Sequence, residues 1–198
     1  MCGRYYIEID EKELQEIVGE VEKITRQSPE QITFKASGEI FPTDIVPVQT
    51  GLHQYQPMQW GFIGFNGKPV INARSETALE KPMFKTPILE RRCLIPASGY
   101  YEWQKAGSSK IKFQFFIPDF PMYLAGCYRQ EAQSKVCRFV ILTQQAAGGT
   151  EAIHDRMPVI IPQERIQTWF DKGLHNLDYA VRELTYNSVS SLSVDEAG

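Results

Sequence analysis

Arg92-Cys93-Leu94-Ile95-Pro96-Ala97-Ser98-Gly99-Tyr100-Tyr101-Glu102-Trp103-Gln104-Lys105-Ala106-Gly107-Ser108-Ser109-Lys110-Ile111-Lys112-Phe113 is the stretch whose reading decides the fold. Its apolar and aromatic residues come in runs too short for helices, and glycine and serine punctuate them. The spacing predicts strands over 91–96, 99–104 and 111–117, with Ala106-Gly107-Ser108-Ser109 as the hairpin turn between the last two. The same texture continues outward, predicting strands over 44–49, 55–63, 122–128, 136–143 and 157–161, and residues 4–9 alternate as a first strand. Asp10 and Glu13 have capping-box spacing, and Leu14, Ile17, Val18, Val21 and Ile24 follow at helical intervals, so one longer amphipathic helix is expected there. Short helices are expected over 76–80, 84–90, 163–171 and 177–184, and a loop over the polar residues 26–40. No internal repeat, linker or low-complexity tract interrupts the chain. The expectation is one α+β domain spanning 1–198, with a curled, mostly antiparallel, barrel-like sheet and short flanking helices.

Composition narrows the function. A chain of 198 residues with 42% apolar and 23% charged residues has the balance of a soluble globular protein. No apolar run approaches the ~18 residues of a membrane span, and Met1-Cys2-Gly3-Arg4-Tyr5-Tyr6 is not a secretory signal, so a cytoplasmic protein without a membrane partner is expected. Long parallel βαβ units and phosphate-binding glycine loops are missing, which argues against a nucleotide cofactor. The cysteines are Cys2, Cys93, Cys127 and Cys137 and the histidines His53, His154 and His175. None falls into CxxC or HExxH spacing, so neither a metal nor any other cofactor is expected. Cys93, Cys127 and Cys137 lie in apolar runs and read as core. The net charge of −3 argues against broad, non-specific nucleic-acid binding. A local basic cleft is still open to Arg4, Arg74, Lys81, Lys85, Arg91, Arg92 and Arg156, if the fold gathers them.

Cys2 stands directly behind Met1, and its small side chain favours methionine removal. A terminal cysteine carries an α-amine and a thiol on adjacent carbons. The amine condenses with an aldehyde to an imine, and the sulfur then closes a five-membered thiazolidine intramolecularly. Three segments are more polar than their surroundings require. In Ile71-Asn72-Ala73-Arg74-Ser75-Glu76-Thr77 the polar residues alternate at spacing two; Gly99-Tyr100-Tyr101-Glu102-Trp103 encloses a carboxylate among aromatics; Ile153-His154-Asp155-Arg156-Met157-Pro158 sets a histidine before a strand. Taken singly, each has an ordinary structural role, as does a small buried Cys2. Together, a terminal cysteine, a carboxyl that apolar surroundings hold toward its protonated form and an imidazole form a complete set for imine chemistry.

Met1-Cys2-Gly3-Arg4, Trp60-Gly61, Asn72 through Thr77, Arg92 through Trp103 and His154-Asp155-Arg156-Met157-Pro158 together resemble the SOS response-associated peptidase (SRAP) family of abasic-site processing proteins. The resemblance implies Cys2 as nucleophile after Met1 removal, with Asn72, Glu102 and His154 as its partners. It implies that Arg4, Arg74, Thr143 and Arg156 hold phosphates beside the lesion and that Trp60 and Trp103 contact bases or sugar. The implied partner is single-stranded or gapped DNA containing abasic sites, bound by a monomer that joins the nucleoid on damaged DNA. In the implied chemistry His154 opens the cyclic hemiacetal, Glu102 shuttles protons and Asn72 orients the amine or thiol. Two departures stand out: Lys81-Pro82 where some members carry an arginine, and a tail after residue 184 (Tyr186-Asn187-Ser188) that matches poorly. Two rival readings remain open, a cysteine peptidase or amidase built on a Cys2–His154 pair, and a non-covalent binder of damaged single strands.

Overall fold

The computed structural model describes residues 2–9, 12–132, 134–171 and 192–197. In chain order the strands are β1 (Tyr5–Ile7), β2 (Gly38–Ile40), β3 (Ile45–Gly51), β4 (Gln54–Trp60), β5 (Phe62–Ile63), β6 (Pro69–Val70), β7 (Asn72–Arg74), β8 (Arg92–Ala97), β9 (Gly99–Ala106), β10 (Ser109–Phe116), β11 (Met122–Arg129), β12 (Arg138–Gln145), β13 (Arg156–Pro158) and β14 (Ser193–Glu196). The helices are α1 (Lys12–Gln27), α2 (Pro82–Glu90) and α3 (Ile166–Phe170), with single 3-10 turns at Ala78–Glu80, Thr150–Ala152 and Gln163–Arg165.

Two sheets share one core. In the larger, β8 pairs with β11, β11 with β12, β12 with β4, β4 with β3 and β3 with β8, so five strands close on themselves. This is the barrel-like core the sequence leads one to expect. Closure explains why β8 is buried along its whole length, since neither of its edges meets water. The second sheet runs β14-β10-β9-β1-β2, antiparallel throughout. Only Ser98 separates β8 from β9, so one length of chain passes from barrel to sheet. Gly99 makes that passage possible: a Cβ there would lie 2.2 Å from the Phe115 carbonyl oxygen and 2.6 Å from Tyr6 Oη. Aromatic contacts tie the layers together. Tyr5 meets Trp60 at 5.3 Å between ring centroids, and Trp60 stacks on Phe139 at 6.3 Å. The Trp60 indole N–H donates to the Ile71 carbonyl at 2.9 Å, leaving no buried donor unsatisfied on that ring.

Helix α1 lays Leu14, Ile17, Val18 and Val21 across β3 and β4, as the 3.6-residue period requires. Thr25, not Ile24, ends that buried face; Ile24 is exposed. Asp10, the expected cap, lies outside the described residues, as do the helix expected over 177–184, His175 and the segment Tyr186-Asn187-Ser188. The strand expected over 55–63 breaks at Gly61, whose φ of 109° only glycine adopts readily, and becomes β4 and β5. The loop expected over 26–40 contains β2, while β6, β7 and β14 are additions the sequence pattern did not reveal. Residues 78–80 form a single 3-10 turn where a short helix was expected. Cys93 and Cys127 are core residues as expected, but Cys137 is only half-buried, with its thiol against Gln130 Oε1.

Across the outer face of the second sheet, the Glu39 carboxylate accepts hydrogen bonds from Arg4 Nη1 at 3.1 Å and from Lys112 Nζ. The Lys112 ammonium first, and then the Arg4 guanidinium, hold this carboxyl below the 4.5 of a free glutamate, against an opposing push from partial burial. A carboxyl depressed in the folded state adds stability above its unfolded pKa and loses it as pH falls through the folded one. Glu39→Gln should therefore lower the denaturation midpoint at neutral pH, and the difference from wild type should shrink as pH falls below the ordinary carboxylate range and vanish only below the depressed folded pKa. A pH-independent difference would assign Glu39 a packing role only. Gly99→Ala should cost about 1–3 kcal/mol in denaturant unfolding, toward the upper end because the clash is with backbone. A loss under about 0.5 kcal/mol, within the range of neutral surface changes, would mean that this crossing is looser than its distances.

Candidate active site around Cys2

Strand β1 places Cys2. Tyr5 pairs with Ile40 of β2 on one side and Tyr100 of β9 on the other. The Tyr101 N–H donates to the Arg4 carbonyl at 2.9 Å, the Ser98 N–H to the Tyr6 carbonyl at 2.9 Å, and the Glu8 N–H to Ser98 Oγ at 2.8 Å. Residues 4–8 thus have no freedom to slide. Upstream of them, Asn72 Nδ2 donates to the Cys2 carbonyl at 2.7 Å. Asn72 is itself fixed by parallel pairing of β7 with β12, opposite Ile141. Its Oδ1 is buried and meets no hydrogen-bond donor among the described residues.

Cys2 carries no accessible surface and belongs to the core. Burial, and after it the negative charge of Glu102, pushes its thiol far above the ordinary range, outweighing a weak S–H contact to the Arg4 carbonyl at 3.9 Å. The sulfur is therefore a thiol at neutral pH, not a thiolate.

Glu102 is buried on the face of β9 that also carries Tyr100. It borders a cleft of about 620 Å³ lined also by Trp103, Lys105, Lys110, Ile153 and His154. Gln104 Nε2 donates to the Ala152 carbonyl at 2.7 Å, tying β9 to the turn that delivers His154. His154 Nδ1 lies 2.8 Å from Asp155 Oδ1 and 3.0 Å from the Arg156 backbone nitrogen. One ring nitrogen cannot serve both at once. Neutral, it accepts the Arg156 N–H and keeps its proton on Nε2; charged, it donates to Asp155. Either state has a ready partner, which suits a group that gives and takes a proton. Asn72 bonds the Cys2 backbone, Glu102 lies within electrostatic reach of its thiol, and Glu102 and His154 line one cleft.

The residues expected to hold DNA are more scattered. Arg74 is exposed on β7, two residues from Asn72 and on the same strand face. Arg4 is half-buried, with its guanidinium 4.2 Å from the Phe41 ring centroid, 5.1 Å from that of Trp103, and paired with Glu39. Arg156 makes a bidentate pair with Glu76 at 2.7 and 2.8 Å and donates to the Thr143 carbonyl at 2.7 Å. Thr143 has no accessible surface, so a phosphate reaches it only by displacing Arg156. Trp60 is likewise fully buried and offers its ring to Tyr5 and Phe139, not to a base. Arg92 is not part of a basic cleft: its Nε donates to the Trp169 carbonyl at 2.8 Å, clamping the end of α3. Arg91 pairs with Glu90.

Several residues at the site escaped the sequence reading. Lys105 and Lys110 stand directly opposite each other across the β9–β10 hairpin, beside Glu102 and His154. Like charges at opposed positions are unfavourable unless an anion lies near; the predicted hairpin register held that signal. Phe41, under the Arg4 guanidinium, lay in no recognisable pattern.

A profile of the SOS response associated peptidase (SRAP) family matches residues 1–196. The chain is 33% identical over 118 residues to "Abasic site processing protein YoaM" of Bacillus subtilis, covering 57% of this chain and 52% of that one. It is 30% identical over 166 residues to "Abasic site processing protein YoqW" of the same organism, covering 74% of each. It is 34% identical over 118 residues to "Abasic site processing protein YedK" of Escherichia coli, covering 57% of this chain and 53% of that one. The chain thus spans about half the length of YoaM and YedK and three quarters of YoqW. A crystal structure of a protein from Bacteroides thetaiotaomicron superposes with a TM-score of 0.76 at 22% identity, covering 100% of this chain and 92% of that one, and so shares the fold. With a family profile running from Met1 to Glu196 over a barrel and sheet of the same architecture, the chain belongs to the SOS response associated peptidase family.

Proposed function

We propose that this protein processes abasic sites in single-stranded DNA by forming a covalent thiazolidine through Cys2 once Met1 has been removed. The observation that carries the reading is the way Cys2 is held. Its carbonyl is pinned by Asn72, its thiol is kept protonated, and a buried acceptor, Asn72 Oδ1, stands ready beside it. Such a site orients a terminal residue as an aminothiol and does little to activate sulfur alone. Asn72 Oδ1 accepts a hydrogen bond from the freed α-amine and turns its lone pair toward the aldehyde. Glu102 shuttles protons through imine formation, and His154 protonates the ring oxygen of the closed sugar. The relatives' names, abasic site processing proteins, support the same substrate. Arg74, Lys105 and Lys110 supply phosphate contacts, which position the strand without reading its sequence, and Trp103 with Phe41 offers ring faces to unpaired bases. A peptidase using a Cys2 thiolate is disfavoured, because burial and the Glu102 charge both oppose thiolate formation.

The decisive experiment places one uncleavable residue ahead of Cys2. The thiol and its surroundings stay nearly intact while the amine becomes an amide. Incubated with single-stranded DNA carrying one abasic site, the processed protein should give a denaturation-resistant conjugate, with intact mass showing loss of Met1. The extended protein should give almost none while still binding DNA. Equal conjugate from both would remove the α-amine from the mechanism. Glu102→Gln should slow conjugation about 10²–10⁴-fold, the range for lost acid–base catalysis; a wild-type rate would return Glu102 to a structural role. Arg74→Ala should lower affinity for damaged and undamaged strands alike and reduce the salt slope by roughly one counterion. An unchanged slope would place the phosphate path elsewhere.

A further inference from the structure

Two phenol hydroxyls beside Cys2 have no hydrogen-bond partner among the described residues. Tyr5 and Tyr100 are buried, 0% and 1% exposed, and the Oη of each meets no hydrogen-bond partner among the described residues. A hydroxyl buried in this way opposes folding, and phenylalanine would fill the same space without that penalty. The ring stacked on Tyr100, Phe115, is a phenylalanine. Two unbonded hydroxyls at neighbouring positions therefore point to an occupant that brings its own acceptor.

Their directions are fixed. Tyr5 and Tyr100 are cross-strand partners of β1 and β9 and project from the same sheet face. The Tyr100 ring stacks on Phe115 at 4.7 Å between centroids and 6° between planes, and Tyr5 is wedged against Trp60 at 5.3 Å. Cys2 lies within electrostatic reach of both phenols, and Glu102 of Tyr100. Burial holds both hydroxyls well above the ordinary tyrosine pKa, so they remain O–H donors throughout the neutral range.

We infer that Tyr5 and Tyr100 are a pair of preorganised hydrogen-bond donors for the oxygen of the carbon that Cys2 attacks. The inference rests on the abasic-aldehyde reading above and adds residues to it. The amine nitrogen bonds to the aldehyde carbon, the C=O pair moves onto oxygen, and a proton from the amine reaches that oxygen by way of Glu102. The carbinolamine hydroxyl then takes the remaining N–H proton, again by way of Glu102, and leaves as water while the nitrogen lone pair forms C=N. The thiol adds across C=N: sulfur bonds to carbon and its proton ends on nitrogen. One water is lost overall and nothing is oxidised or reduced. The two phenols donate, without transferring their protons, to the oxygen as it gains charge and again as it departs. Donors fixed before reaction need no reorganisation as that charge develops.

Tyr5→Phe, Tyr100→Phe and the double variant remove only oxygen and keep every ring contact. Conjugation rates at saturating single-stranded abasic DNA should fall about 10²-fold for each single variant. Affinity for a strand carrying a tetrahydrofuran abasic analogue, which has no aldehyde, should not change, and unfolding midpoints should be unchanged or higher. Wild-type rates in all three variants, with wild type conjugating normally, would overturn this inference and leave the Cys2 reading intact. Lowered midpoints with unchanged rates would also overturn it, making the hydroxyls anchors for structural water. If wild-type protein forms no conjugate, the Cys2 reading fails and this inference with it.

Discussion

Strand β1 is held on both edges, by β2 through Tyr5↔Ile40 and by β9 through Tyr5↔Tyr100, and that double pairing determines where Cys2 can be. A terminal segment normally frays because nothing repays the entropy of ordering it. Here the segment lies inside a sheet whose inner face packs on Trp60 and Phe115, so ordering it completes the core. The site inherits this rigidity. Asn72 reaches Cys2 from a strand of the barrel, Glu102 and Tyr100 come from the neighbouring strand, and His154 comes from a turn tied back to Gln104. Asn72, Glu102 and Tyr100 are placed by strand pairing and His154 by the Gln104 tether, which is the rigidity needed by groups that must meet a reacting carbon within fractions of an ångström.

Two of the arginines expected to hold phosphates are committed to carboxylates of the same chain. Arg4 shares Glu39 with Lys112, and Arg156 grips Glu76 with two parallel bonds. A phosphate arriving at either must compete with a partner already in place, so the attraction it feels is the difference between two ion pairs. This fits a net charge of −3. It also gives Glu76 two tasks, since the same carboxylate accepts the Gln145 N–H and holds the end of β12.

Alternation and turn residues made the barrel strands legible, because strands buried on both faces need unbroken apolar runs and those runs are rare by chance. The two- and three-residue strands β2, β5, β6 and β7 were not, since so short a segment carries no period. The parallel pairing of β12 with β4 and β7 lies equally beyond local pattern, being fixed by how the barrel closes. At the site, Cys2, Asn72, Glu102 and His154 were each conspicuous as polar or reactive residues in unexpected company. The burial of Trp60 and Thr143 was not foreseeable, because solvent access belongs to the assembled fold. Tyr5 and Tyr100 passed as ordinary strand aromatics, for a sequence shows that a phenol is present but not that its oxygen lacks an acceptor.

The span between the pairing partners of β1 has a consequence in time. Ile40 is near to Tyr5 along the chain, whereas Tyr100 is far. At translation rates of about 5–20 residues per second, Tyr100 leaves the peptidyl-transferase centre roughly 5–20 s after Tyr5. Throughout that interval β1 has one edge unpaired and the residues ahead of it lie open to enzymes working on the nascent chain. Once β9 docks, the same residues are enclosed. Folding order therefore acts as a clock on Cys2: anything that must reach it from outside does so most easily while the ribosome is still at work.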